Sequence, residues 1–169
     1  MNIPELPPYT GCRFRQMNSG DAICIYEINS DRDTQLYTRL LRQQTLEDIT
    51  SWLNYYPHYQ RHGFGLWAIE HNESGKIAGI CGLRVRKDLN SQIDISYRMH
   101  PGFRRMGIAS VAVKTCLTWG FEYLNLQQVL AQVHVNNNIS MHILLKNGFV
   151  KTGSDGTWVD LILANPLKR

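Results

Sequence analysis

No uninterrupted apolar run of about 18 residues occurs in this 169-residue chain, so a membrane-spanning helix is not expected. Cysteine is sparse: Cys12, Cys24, Cys81 and Cys116 lie far apart and form no Cys-x-x-Cys pair. That spacing argues against a metal site or a disulfide framework, and each thiol reads as a small buried hydrophobe in a reducing compartment. The first eight residues have neither a basic start nor an apolar segment, so no secretory leader is expected and the protein is read as cytoplasmic. Charge excess is slight, +4, and the basic residues are scattered instead of gathered into a stripe. This fits an anionic small molecule and argues against nucleic acid as a partner. Low-complexity runs are missing and 43% of residues are hydrophobic, which excludes a disordered chain. A single domain over residues 1–169, with 1–10 as an extended arm, is long enough to bury a core without staples.

Nucleotide loops of the common kinds are missing too. There is no Gly-x-Gly-x-x-Gly and no Gly-Lys-Ser/Thr, which disfavours a dinucleotide-binding or a Walker-type fold. What is present is a mixed α/β pattern. Residues 12–18 alternate as a weak first strand, and a helical region follows over about 21–44, with uncertain breaks around 29–33. Thr45-Leu46-Glu47-Asp48 has the form of a capping box and opens a helix with an apolar face of Leu46, Ile49, Trp52, Leu53 and Tyr56, ending near Pro57. Strand signals at 64–71, 76–86 and 91–99, separated by short turns, predict an antiparallel meander. Polar residues spaced by four (Ser110, Lys114, Thr118, Glu122) leave one narrow wet stripe on a helix over 107–125, which is therefore mostly buried. A buried strand at 129–135, a short helix at 138–147 closed by Gly148, and strands at 149–152 and 157–164 around the turn 153–156 complete the reading.

The segment Arg104-Arg105-Met106-Gly107-Ile108-Ala109-Ser110 joins the third meander strand to the long helix. A loop feeding a helix start offers backbone N–H groups without intrahelical partners at the positive end of the helix dipole, which suits a phosphate. Gly107 lets a diphosphate approach the backbone, and Arg104 and Arg105 add charge suited to its oxygens. The ligand expected from these residues is a phosphorylated cofactor.

With the preceding strand, this loop resembles the acetyl-CoA site of the GCN5-related N-acetyltransferases (GNAT). That superfamily's Gln/Arg-x-x-Gly-x-Gly/Ala is matched by Arg104, Gly107 and Ala109. Downstream, Asn137-Asn138-Ile139-Ser140 and Lys146-Asn147-Gly148-Phe149 are similar to the Asn-x-x-Ser…Lys-x-Gly-Phe signature of the branch containing ribosomal-protein N-terminal acetyltransferases. The resemblance implies a central, mostly antiparallel sheet flanked by helices. It implies acetyl-CoA as cosubstrate and a primary amine, a protein N-terminus or a small amine, as acceptor, in a monomer or homodimer. Residues 104–110 would hold the diphosphate, the backbone N–H of Met99 would meet the oxyanion, Asn137 would bond the pantetheine arm, and the Ser140 hydroxyl would lie near the sulfur.

Asp94, where relatives often carry a glutamate facing the cleft, is the leading candidate for a base; its alternative is a strand carboxylate paired with Arg84 or Arg98. His134, ending the next strand, is a second candidate for proton relay, against a structural role. Tyr97 reads as a core or cleft-wall aromatic, and Trp52 and Trp67 as packing residues more than acceptor contacts. The chain departs from its relatives at Leu144, where many carry a tyrosine acid, and at Val111 and Thr152, where the ribosomal branch carries glutamate. Arg104-Arg105 also replaces a common Trp-Gly. These departures leave open a non-catalytic CoA-binding domain as the rival reading, with an RNA-binding module behind it.

Overall fold

Apolar residues at strand and helix periods draw the chain around one seven-stranded sheet in a computed structural model, which describes residues 3–39 and 44–168. The strands are β1 (Cys12–Gln16), β2 (Leu66–His71), β3 (Ile77–Arg86), β4 (Gln92–Met99), β5 (Gln128–His134), β6 (Val150–Ser154) and β7 (Trp158–Ala164). They lie in the order β1-β2-β3-β4-β5-β7-β6. Every neighbouring pair is antiparallel except β4 and β5, which run parallel. The helices are α1 (Ala22–Ser30), α2 (Arg32–Leu36), α3 (Leu46–Asn54), α4 (His58–His62), α5 (Ile108–Tyr123) and α6 (Asn138–Lys146). A parallel pair needs a crossover, and α5 provides it. The expected mixed α/β architecture, mostly antiparallel and flanked by helices, is what the chain adopts. Among the described residues no helix is long and apolar enough to cross a membrane.

The two sheet faces bury different helices. Trp67, Ile69, Cys81, Leu83 and Ile95 pack with Ala112, Val113 and Cys116 of α5 and with Ile143 and Leu144 of α6. Leu66, Ala68, Ile77 and Ile80 pack with Ile25 and Ile28 of α1 and with Ile49 and Leu53 of α3. Helix α5 buries Ile108, Val113, Leu117 and Phe121 among others, as its single polar stripe requires. All four cysteines are free; Cys81 and Cys116 bring their sulfurs within 3.7 Å of one another inside the core.

Local chemistry corrects several boundaries. The helical region expected over about 21–44 breaks within the expected 29–33 window, where Asp31 leaves helical geometry (φ −62, ψ 135) and its carboxylate caps α2 by accepting from Thr34 N at 3.0 Å, but α2 ends already at Leu36. Residues 40–43 of that expectation lie outside the described residues. The capping box forms as read, Thr45 Oγ1 accepting from Asp48 N at 3.1 Å and the Asp48 carboxylate from Thr45 N at 2.8 Å. Helix α4 was not anticipated; it is closed by Gly63 at φ +74. The first strand ends at Gln16, and β6 reaches Ser154, so the last hairpin turns two residues later than expected.

The aromatic group near the meander is structural. Tyr56 Oη accepts from Leu66 N at 2.8 Å, while Tyr59 Oη donates to the Leu66 carbonyl and accepts from Met17 N at 3.2 Å, pinning the start of β2. Trp67 is wholly buried, edge-on to Trp119 at 5.2 Å, and Trp52 packs on Tyr56 at 5.0 Å.

Candidate active site between β4 and β5

Asp94 opposite Leu130 is the one registered pair joining β4 to β5. Beyond it the strands part. β4 continues to Met99 on β3 alone, with Met99 opposite Gly79, and β5 continues to His134 on β7, opposite Trp158. His100 N donates to Ala78 O at 2.9 Å. Because antiparallel bonding alternates, the N–H groups of Tyr97 and Met99 face the other way, into the opening left by β5. The sequence expectation for Met99 is thus placed at a backbone position directed where a ligand carbonyl could meet it.

One end of the opening is bounded by the loop into α5. Gly107 takes φ +76, caps the helix without any side chain, and has nothing within 4 Å of where a Cβ would stand. The amides of Ile108, Ala109 and Ser110 follow in the first turn, where helical N–H groups lack intrahelical acceptors. Ile108 is buried and anchors that turn in the core; Arg105, Met106 and Gly107 are exposed. A bare backbone cradle at a helix start fits a diphosphate. Ser110 also lines a cavity of about 480 Å³ with Lys114, Lys146 and the amino-terminal Pro4 and Glu5.

Arg104 is placed otherwise than expected. Its guanidinium pairs with Asp31, reaches Asp33 at 3.4 Å and donates to Thr34 Oγ1 at 3.2 Å, so it binds the loop to α2. Burial pushes the Asp31 carboxyl up, but Arg104 and the Thr34 N–H outweigh it and hold the group below the usual aspartate range. Arg105, at φ +64, is exposed and has no ion-pair partner among the described residues.

The other end of the opening is bounded by the start of α6. Asn137 Oδ1 accepts from Ser140 N at 3.1 Å, capping the helix and leaving the Asn137 amide nitrogen for a ligand. Ser140 Oγ lies 2.7 Å from Tyr97 Oη. Burial pushes the Tyr97 phenol well above its ordinary range, so it is protonated at neutral pH. Tyr97, read from sequence as a wall residue, is therefore joined to the candidate thiol-side hydroxyl. The signal was its spacing: it shares a strand face with Met99, two residues on. The far end of α6 explains the Gly-Phe signature physically. Gly148 N donates to Leu145 O at 3.0 Å and Phe149 N to Leu144 O at 3.2 Å, a helix-closing motif with Leu144 and Phe149 both buried. Leu144 is a core residue there and offers no acid.

Neither candidate base is open. The Asp94 carboxylate, 2% exposed, receives Arg84 at 2.8 and 2.9 Å and Arg86 at 2.8 Å. This is the paired reading, with Arg86 in the place where Arg98 was considered, and it occupies the lone pairs a base would use. His134 Nδ1 accepts from Asn136 N at 3.2 Å, which leaves the neutral ring's proton on Nε2. Its ring sits between Tyr37 at 5.5 Å and Trp158 at 5.4 Å, with Arg39 over Trp158 at 4.8 Å. Ring and indole form an aromatic wall on the C-terminal end of β5. Arg98, considered from sequence only as a partner of Asp94, donates instead to Asn29 Oδ1 of α1 at 2.6 Å.

The model of the acetyltransferase (GNAT) domain matches residues 12–150. The chain belongs to the GNAT family. Among GNAT relatives, the uncharacterized N-acetyltransferase YoaA of Bacillus subtilis (strain 168) is 27% identical over 140 residues, 82% of this chain and 79% of YoaA. The spermidine N-acetyltransferase of Vibrio cholerae, solved with CoA and spermine, superposes at TM-score 0.74 and 17% identity, covering 92% of this chain and 96% of that one. RimL, a ribosomal L7/L12 α-N-protein acetyltransferase solved with CoA, superposes at TM-score 0.75 and 16% identity, covering 94% and 97%. At such identities these two structures speak for the GNAT fold alone.

Proposed function

We propose that this GNAT protein transfers an acetyl group from acetyl-CoA to a primary amine in the opening between β4 and β5. The reading is supported by the parting of β4 from β5 beyond Asp94, with a glycine-capped helix following β4 and the Ser140 hydroxyl of the helix following β5 bonded to Tyr97 of β4. Acetyl-CoA supplies an activated acetyl thioester. Gly107 and the first amides of α5 hold the diphosphate, with Arg105 adding charge. The Asn137 amide and the outward-facing backbone of β4 hold the pantetheine arm. A preorganised donor such as the Met99 N–H, aimed at a carbonyl oxygen as charge develops on it, contributes about 3–4 kcal/mol. Ser140, backed by the protonated Tyr97 phenol, returns a proton to the departing sulfur in place of the acid that Leu144 lacks.

With Asp94 and His134 Nδ1 engaged, the amine gives its proton to water. That suits an α-amino group of a peptide, with a pKa of about 7.7–8.0, better than an aliphatic amine near 10.4. A thiol-release assay across peptides and small amines, with the product identified by mass, tests the reading. CoA is expected to appear in step with an acetylated amine. Tight acetyl-CoA binding without release for any acceptor would instead establish the non-catalytic CoA-binding reading, which the burial of Leu144 favours.

A further inference from the structure

Arg98 precedes Met99 on β4, and its side chain leaves the opposite face of the sheet from the one covered by α5. Its strand partner is Ile80, which packs with α1 and α3, and its hydrogen-bond partner Asn29 belongs to α1. A ligand held by the α5 loop therefore meets Met99 from one face, and the face holding Arg98 is left for the acceptor.

Arginines that are less than fully exposed are consistently given carboxylates in this protein. Arg15 has Asp21 and Glu70, Arg84 and Arg86 share Asp94, and Arg104 has Asp31. Arg98 is the exception. Among the described residues its partner is the neutral Asn29 Oδ1, and Asn29 is itself oriented by donating to Gln44 Oε1 at 2.8 Å. Burial, helped by the nearby Arg84, lowers the Arg98 pKa to about 10, so the group stays charged at neutral pH. A guanidinium is a planar fork of donors that matches a carboxylate in bidentate fashion, and Arg98, half-buried and so still reachable, lacks such a partner. The neighbouring acid cannot relieve it, because Asp94 is occupied by two other arginines.

We infer that Arg98 is the specificity residue for an acceptor amine that carries a carboxylate, a refinement that rests on the acetyl-transfer reading. Bound acceptor supplies the anion that the chain withholds, and in doing so sets its amine beside the Met99 end of β4. A free amino acid and a peptide whose first residue is acidic both present this chemistry. A polyamine such as spermine presents the opposite charge.

The test compares acceptors matched except for the carboxylate: glutamate-led against glutamine-led peptides, and free amino acids against their amides, each at several pH values so that amine ionisation is separated out. Which series is used distinguishes the peptide from the free amino acid. The carboxylate is expected to raise kcat/KM about tenfold or more, mainly through KM, the usual effect of one charge-assisted contact. Arg98→Gln is expected to reduce that preference to about twofold or less and Arg98→Lys to retain part of it, with acetyl-CoA affinity unchanged. The wild-type comparison decides even if Arg98→Gln fails to fold. Equal use of charged and neutral acceptors, or a preference for polyamines, would overturn this inference and leave acetyl transfer standing. Acetyl-CoA binding with no acceptor turned over would overturn both.

Discussion

The hydroxyl oxygens of Tyr97 and Ser140 lie 2.7 Å apart and tie β4 to the first turn of α6 across the opening where β4 and β5 part. Burial keeps the Tyr97 phenol protonated, and on the proposed acetyl transfer it backs Ser140 as the proton source for the departing sulfur. Removing Ser140 as Ser140→Ala is expected to lower kcat about 10²-fold, the lower range for a positioned acid. Tyr97→Phe keeps the ring and is expected to lower kcat less, about tenfold, without weakening acetyl-CoA binding. Steady-state kinetics alongside calorimetry checks both; unchanged kcat in Tyr97→Phe would reduce the tyrosine to a wall residue.

The cradle at Gly107 depends on its missing Cβ and its positive φ. A β-branched side chain there meets a backbone penalty of about 1–2 kcal/mol and fills the open space above the helix start. Gly107→Val is thus expected to lower Tm and to erase the stabilisation that acetyl-CoA gives, about 2.7 kcal/mol at 100 times Kd in the parent. Gly107→Asn, which tolerates left-handed backbone, separates the two effects: its Tm should fall little while the ligand-induced shift is still largely lost. A full ligand shift in both variants would contradict the assignment.

Asp94 holds Arg84 and Arg86 together beneath the point where the strands separate. Asp94→Asn leaves Arg84 without a carboxylate and Arg86 with Asp88 alone, and is expected to cost about 3 kcal/mol, seen as a lower midpoint in denaturant unfolding. The surviving folded enzyme should keep the wild-type pH dependence of kcat/KM. Loss of one limb of that profile would restore Asp94 as the base.

Asp31 reports on the joint between the loop before α5 and α2. Its carboxyl lies below the ordinary aspartate range when folded. The Arg104 contact therefore contributes fully above the unfolded value, about 3.9, and is lost as pH falls through the folded one. At pH 7 Asp31→Ala should be less stable than wild type by about 1–2 kcal/mol, cap included, and the gap should narrow below pH about 4. Thermal melts at a series of pH values measure it; a gap that stays constant on acidification would show that the ion pair contributes nothing.

Features set by short-range chemistry were legible in the sequence. The glycine before α5, the Thr45 capping box and the Gly148-Phe149 helix end each depend on residues within one turn of each other. So was the β2-β3-β4 meander, fixed by short polar turns. The partners of long side chains were not. Arg104 looked like a phosphate ligand because nothing local shows that α2 brings Asp31 to it from 73 positions away. The base role considered for Asp94 gave way to Arg84 and Arg86, whose approach depends on the register of β3 and β4. Arg98 was read as a partner for Asp94, and its isolation from any carboxylate is visible only once α1 has docked Asn29 against it. Helix α4 was hidden by the tyrosines around it, whose hydroxyls serve the start of β2.

The central claim is that the β4–β5 opening receives the donor with its diphosphate on the start of α5. Calorimetric titration of the intact protein with acetyl-CoA, repeated with Gly107→Asn, tests it most directly. The account expects one site per chain, displaceable by CoA and strongly weakened in the variant. Absence of binding heat and of competition in the wild-type protein would contradict it.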